Sequence, residues 1–169
     1  MNNWFTVKVK YTKQLENGTF KRVSEPYLLA AMTFTDAEAR IYEELGSTIR
    51  GEFQVNSIQR TEFNDIFATE GTEKWCVVKI SYQTYTEEKS KLITNKFLVG
   101  ADSIEQATDV ITEELKSLMA DYRIESVVNS NIVDVFPFKS TEEKSDKEIE
   151  DVIPQSEMVL DEEIGDDLP

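Results

Sequence analysis

From Trp4 to Tyr11 the chain alternates with period two. Phe5, Val7, Val9 and Tyr11 fall on one side and Trp4, Thr6, Lys8 and Lys10 on the other, as in a half-buried strand. The alternation returns from Trp75 to Tyr82, with Cys76, Val78, Ile80 and Tyr82 opposite Trp75, Val77, Lys79 and Ser81. Turn residues around Asn17-Gly18 and Glu87-Glu88 lead into returning runs that end in Tyr27-Leu28-Leu29 and Phe97-Leu98-Val99, which predicts two β-hairpins. Pro26 has no N–H for a ladder, so the first returning strand is expected to lie at an edge or to break there.

The period then changes. Thr33 with Asp36, and Ser103 with Gln106, place a hydroxyl three residues ahead of a side chain that can reach back, as helix capping boxes require. Phe34, Ala37, Ile41 and Leu45 match Ile104, Ala107, Ile111 and Leu115, each set forming one apolar stripe of a helix. Phe53 to Ile58 and Tyr122 to Val127 read as strands, followed by Asn64-Asp65-Ile66-Phe67 and Val133-Asp134-Val135-Phe136. A β-β-α-β unit therefore occurs twice, over residues 1–70 and 71–138. The expected fold is α+β: an internal duplication giving an antiparallel-rich sheet with two helices on one face. The link from Ala68 to Glu73 is too short to separate two free domains, which favours one pseudo-twofold body.

The paired openings at Trp4 and Trp75, with the closings Asp65-Ile66-Phe67 and Asp134-Val135-Phe136, resemble a family of unknown function from gut anaerobic bacteria and their phages. The resemblance covers residues 4–138 and implies a phage or mobile-element setting, with no activity or site to carry over. The last residues, Asp166, Asp167, Leu168 and Pro169, resemble the acidic tip of bacterial single-stranded-DNA-binding proteins. That resemblance implies recruitment of a replication or host protein, although the phenylalanine that ends such tips is missing here.

Charge divides the chain unevenly. Residues 139–169 hold three lysines and twelve acids, so they carry −9 of the formal −15. Such a segment is expected to be a disordered acidic tail, since it has little apolar surface to offset the entropy of ordering. Neither a signal-peptide layout nor a long apolar run is present, which points to a cytoplasmic protein without membrane association.

Chemistry is sparse. The absence of histidine removes the usual general base and the commonest metal ligand; a single cysteine, Cys76, falls on an apolar strand face; and the six glycines form neither a phosphate loop nor a dinucleotide fingerprint. Glu43-Glu44 and Glu113-Glu114 read as solvated helix faces. A non-catalytic protein without cofactor or metal is expected. What recurs at matched positions is an aromatic and basic outer face: Trp4, Lys8, Lys10, Lys21 and Arg22 in the first hairpin, and Trp75, Lys79, Lys91 and Lys96 in the second. Exposed indoles stack unpaired bases and lysines track a backbone, so single-stranded DNA or RNA is the expected partner, with the tail as an internal competitor. The competing structural reading has the tryptophans packing across the pseudo-twofold and the lysines protecting strand edges. The competing function is a protein-binding adaptor or structural phage protein acting through its tail or sheet face, and a homodimer is compatible with either.

Overall fold

In the computed structural model, which describes residues 3–118 and 121–139, ten elements follow along the chain: β1 (Trp4–Gln14), β2 (Phe20–Ala30), α1 (Phe34–Leu45), β3 (Phe53–Thr61), β4 (Asp65–Phe67), β5 (Trp75–Tyr85), β6 (Ser90–Gly100), α2 (Ile104–Leu115), β7 (Arg123–Ser130) and β8 (Val135–Phe136). The predicted hairpins form. β1 pairs antiparallel with β2 from Trp4↔Ala30 to Gln14↔Phe20, and β5 with β6 from Trp75↔Gly100 to Tyr85↔Ser90. Gly18 closes the first turn at φ 83°, a conformation that costs a glycine little.

The expectation of one sheet carrying both helices on a face is corrected. The described residues form two mixed four-stranded sheets, ordered β3-β1-β2-β8 and β4-β6-β5-β7. Within each sheet the antiparallel strands come from one half of the sequence, but the short parallel edge strand comes from the other half. β8 adds to β2 through Leu28↔Val135 and Leu29↔Phe136, and β4 adds to β6 through Asp65↔Phe97, Ile66↔Leu98 and Phe67↔Val99. The closing strands are thus exchanged. The ring of Phe136 stacks on Tyr27 at 5.9 Å, and that of Phe67 stacks on Phe97 at 5.5 Å.

Each helix has its own core. Phe5, Val7, Val9, Tyr27 and Leu29 meet Ala37, Ile41 and Leu45 on one sheet; Cys76, Val78, Ile80, Phe97 and Val99 meet Ala107, Ile111 and Leu115 on the other. Fully burying one such aliphatic or aromatic side chain is worth about 1.5–3 kcal/mol, so these stripes dominate the stability of each layer. The helices start where the boxes indicated. Thr33 Oγ1 accepts from Asp36 N–H and Ser103 Oγ from Gln106 N–H, both at 3.1 Å. The stripe begins one turn later than its sequence pattern implied: Phe34 and Ile104 are 51% and 40% exposed. They sit in the first turn at the rim of their cores, and Phe34 meets the edge of Phe5 at 5.0 Å.

Pro26 neither breaks β2 nor lies beside a missing partner. The far side of β2 is bonded by Leu28 N–H to Asp134 O and by Val133 N–H to Pro26 O, so at Pro26 only an acceptor is used. In the other sheet Lys96 stands in its place. Lys96 has an N–H to satisfy, and Asn64 Oδ1 accepts it at 2.7 Å while Asn64 N–H returns a bond to Lys96 O. The crossing needs close backbone approach as well: a Cβ on Gly100 would stand 2.9 Å from Thr69 N.

The exchange makes a specific expectation. Phe67→Ala should cost about 2–3 kcal/mol in urea unfolding, somewhat under a full core truncation because the ring is half-buried. Amide exchange should then quicken first at Phe97, Leu98 and Val99, in the opposite half of the sequence. Quickening confined to β3 would contradict the exchanged pairing.

Candidate functional site

The register assigns each basic and aromatic residue to a face. On the side of the first sheet away from α1, Trp4, Thr6, Lys8 and Lys10 are joined by their β2 partners Ala30, Leu28, Pro26 and Ser24, then by Arg22 and Phe20 further out. On the second sheet, Trp75, Val77 and Lys79 are joined by Gly100, Leu98 and Lys96, with Leu92 and Tyr85 further out. Lys21 and Lys91 pair with Lys13 and Thr84 and so lie on the other faces. Trp4 and Trp75 belong to different sheets, each set between small cross-strand neighbours, Ala30 and Thr61 for one and Gly100 and Ser130 for the other.

These faces are not uniformly open. Around the tryptophans they are covered: Leu28, Ala30 and Leu98 are 0% exposed, and both indoles are half-buried. Toward the hairpin ends they are exposed, with Phe20 at 71% and Tyr85 at 80%. The structure brings Lys8, Lys10 and Arg22 together with Phe20 on one face, and Lys79 and Lys96 with Tyr85 on another. Sequence alternation alone could not find Phe20 and Tyr85, since they flank turns where such residues are normally solvated and uninformative.

The charges are poorly compensated. Lys79 stands directly across from Lys96, and Lys13 across from Lys21, although like charges in opposed positions destabilise a sheet. Lys96 Nζ lies 4.9 Å from the centre of the Phe63 ring and Lys13 reaches Glu25 at 3.9 Å. Among the described residues Lys8, Lys10, Lys21, Arg22, Lys79 and Lys91 make no ion pair. Asp166, Asp167, Leu168 and Pro169 lie outside the described residues.

Two further features were not anticipated. On the α1 side of the first sheet, Tyr11 and Tyr27 both donate their hydroxyls to Glu25 Oε2, at 2.8 and 2.9 Å. Burial, then the bond to Glu25 and its charge, pushes Tyr11 up to about 12 and Tyr27 still higher. In the second sheet the matching positions are Tyr82, Phe97 and Asn95, so the clamp has no counterpart there. The second feature is a cleft of about 580 Å³ beside the start of β7, floored by Ser81 and walled by Tyr82, Tyr85 and Tyr122, with Asp121, Arg123 and Glu125 at its polar side.

Cys76 is fully buried, its thiol pointing to Asn129 Oδ1 at 3.7 Å; burial and then the charge of Asp102 raise its pKa. Glu44 pairs with Arg40 one turn earlier at 3.2 Å. Among the described residues there is no group of three or more Cys, Asp or Glu placed to hold a metal, and no helix is long and apolar enough to cross a membrane.

The chain belongs to the family described as a domain of unknown function, DUF4494, whose model matches residues 3–138. No curated protein matches it.

The tyrosine clamp fixes a pH dependence. The protonated phenol is favoured in the folded state, so its stabilisation is complete below the ordinary tyrosine value of 10.0 and is lost as pH rises toward about 12. Phenolate absorbance should therefore show Tyr11 ionising near pH 12, with unfolding promoted across that interval. Glu25→Gln should lower that midpoint without restoring it fully, because burial remains the larger cause. An unchanged midpoint in Glu25→Gln would show that Glu25 plays no part.

Proposed function

We propose that this member of a family without an assigned function is a non-catalytic binding protein for single-stranded nucleic acid, engaging it through the outer halves of its two hairpins. One observation carries the reading: basic residues that make no ion pair among the described residues share a face with an exposed ring on each hairpin, Lys8, Lys10 and Arg22 with Phe20, and Lys79 and Lys96 with Tyr85. Opposed lysines are a cost the fold does not require, and a phosphate between them would turn that repulsion into attraction. Rings at hairpin ends offer faces for unpaired bases, whereas the half-buried tryptophans hold the sheets in place.

Two companion readings go with this. The matched strand orders, helix caps and bulges support descent of the two halves from one duplicated β-β-α-β unit. The proposed setting is a phage or mobile element, in which a small binding protein with a competing acidic tail serves replication or redirects a host protein.

The test is binding of labelled oligothymidine to the full chain and to a chain ending at Phe138. Affinity should fall with salt at a log–log slope of about −0.7 per neutralised phosphate. Phe20→Ala and Tyr85→Ala should each cost about 1–3 kcal/mol. Removing the tail should strengthen binding. If neither chain shifts the oligonucleotide at low salt, the reading fails, and tail-dependent capture of one specific protein would put an adaptor in its place.

A further inference from the structure

We infer that the cleft beside β7 is a pocket for one unpaired nucleobase that carries both amino and carbonyl groups, guanine or cytosine rather than uracil or thymine. This rests on the nucleic-acid reading of the hairpins and adds a base preference to it.

The cleft, at about 580 Å³, falls within the range of small-ligand pockets. Its walls are tyrosine rings and Leu92. Tyr85 and Leu92 are among the more exposed large side chains of the second hairpin, so they are not spent on a core. Its polar groups are held apart. Among the described residues Arg123 makes no ion pair with Asp121 or Glu125, although all three line the same space. Glu125 is the extra residue of a β-bulge: Lys79 pairs with Ser126 and Ile80 with Ile124, leaving Glu125 without a ladder partner. Bulges re-aim side chains in this way beside binding sites. Ser81, the one buried polar side chain among the described residues, donates to Glu125 Oε1 at 2.6 Å and so orients the carboxylate, leaving Oε2 to accept from a ligand.

The fold does not need these acids. The first sheet has the same bulge, with Lys8 paired to Ser57 and Val9 to Val55, but its extra residue is Asn56, and the places of Ser81 and Leu92 are taken by Lys10 and Arg22. One backbone therefore presents a basic mouth in the first half and a mixed, aromatic mouth in the second.

The mixture selects the ligand. Two carboxylates disfavour an anion, and a simple cation leaves the Arg123 donors unmet, while a neutral ring with donors and acceptors satisfies both. Guanine offers two N–H groups to a carboxylate and O6 with N7 to a guanidinium; cytosine offers its amino group to a carboxylate and its carbonyl to an arginine. Uracil and thymine lack the amino donor. Lys79 lies two residues before Ser81 on the same face, about 7 Å along the strand, so it and Lys96 can hold the phosphates leading into the pocket.

Nucleosides carry no phosphate, which separates the pocket from the hairpin contacts. Guanosine and cytidine, titrated into the full chain at salt sufficient to screen phosphate binding, should shift amides of residues 81–85 and 121–125 and bind roughly tenfold more tightly than uridine. Glu125→Gln with Asp121→Asn should abolish the preference while leaving oligothymidine binding intact. Charge reversal at Lys8, Lys10 and Arg22 should do the opposite. Uridine binding as well as guanosine, or shifts scattered outside these segments, overturns the pocket. Oligothymidine binding without any guanosine response overturns the pocket alone, and a guanosine response without oligonucleotide binding overturns the hairpin reading alone.

Discussion

The stacked rings of Tyr27 with Phe136 and of Phe97 with Phe67 join what the chain order keeps apart. Each half supplies three antiparallel strands and a helix, yet neither can finish its sheet: the parallel edge strand must arrive from the other half. A parallel neighbour cannot be reached by a tight turn, and exchange solves that geometry by letting the whole opposite half serve as the crossover. The entropic cost of such distant pairing is tolerable. Leu28 and Val135 are 107 positions apart, counting 135 less 28, but loop-closure cost grows only with the logarithm of length. The same exchange couples the halves, because loosening one closing strand uncovers the partner's core.

On this shared frame the two halves differ at a few matched positions. Pro26 faces Val133 where Lys96 faces Asn64, so the change at one position is matched by the loss of a side-chain acceptor at the other. Tyr27, Glu25 and Tyr11 form a hydrogen-bonded clamp where Phe97, Asn95 and Tyr82 do not. The bulge that carries Asn56 on one edge carries Glu125 on the other. Interior positions such as Val7 and Val78, or Ile41 and Ile111, stay apolar and fully buried in both halves, as dense packing demands.

Local order was legible in the sequence because it is written in local patterns. Alternation gave the strand faces of Phe5 to Val9 and Cys76 to Ile80, and a hydroxyl with a reach-back residue marked both helix starts. Partner choice was not legible. Asp65-Ile66-Phe67 and Asp134-Val135-Phe136 carry nearly the same pattern, so pairing within a half and pairing across halves predict the same periodicity. The number of sheets depends on that choice. The cleft was hidden for a related reason: Ser81 and Glu125 are 44 positions apart and meet only once the bulge has set the register.

The tryptophans show what alternation says about a face and what it leaves open. Alternation places Trp4 and Trp75 opposite the helix-side core, and the register agrees, but alternation cannot say whether that second face is wet. Leu28 and Leu98 are fully buried on the same faces, while the indoles beside them are half-buried. Each indole has small cross-strand neighbours, Ala30 and Thr61 for Trp4 and Gly100 and Ser130 for Trp75, which leave room beside a large ring. Beyond the covered stretch the same strands continue into solvent, where Phe20 and Tyr85 have no core to fill and, among the described residues, Lys8, Lys10, Arg22 and Lys79 make no ion pair. A strand buried at one end and bare at the other holds its outer residues on a rigid base, and that preorganisation spares part of the ordering cost a flexible arm would meet on binding.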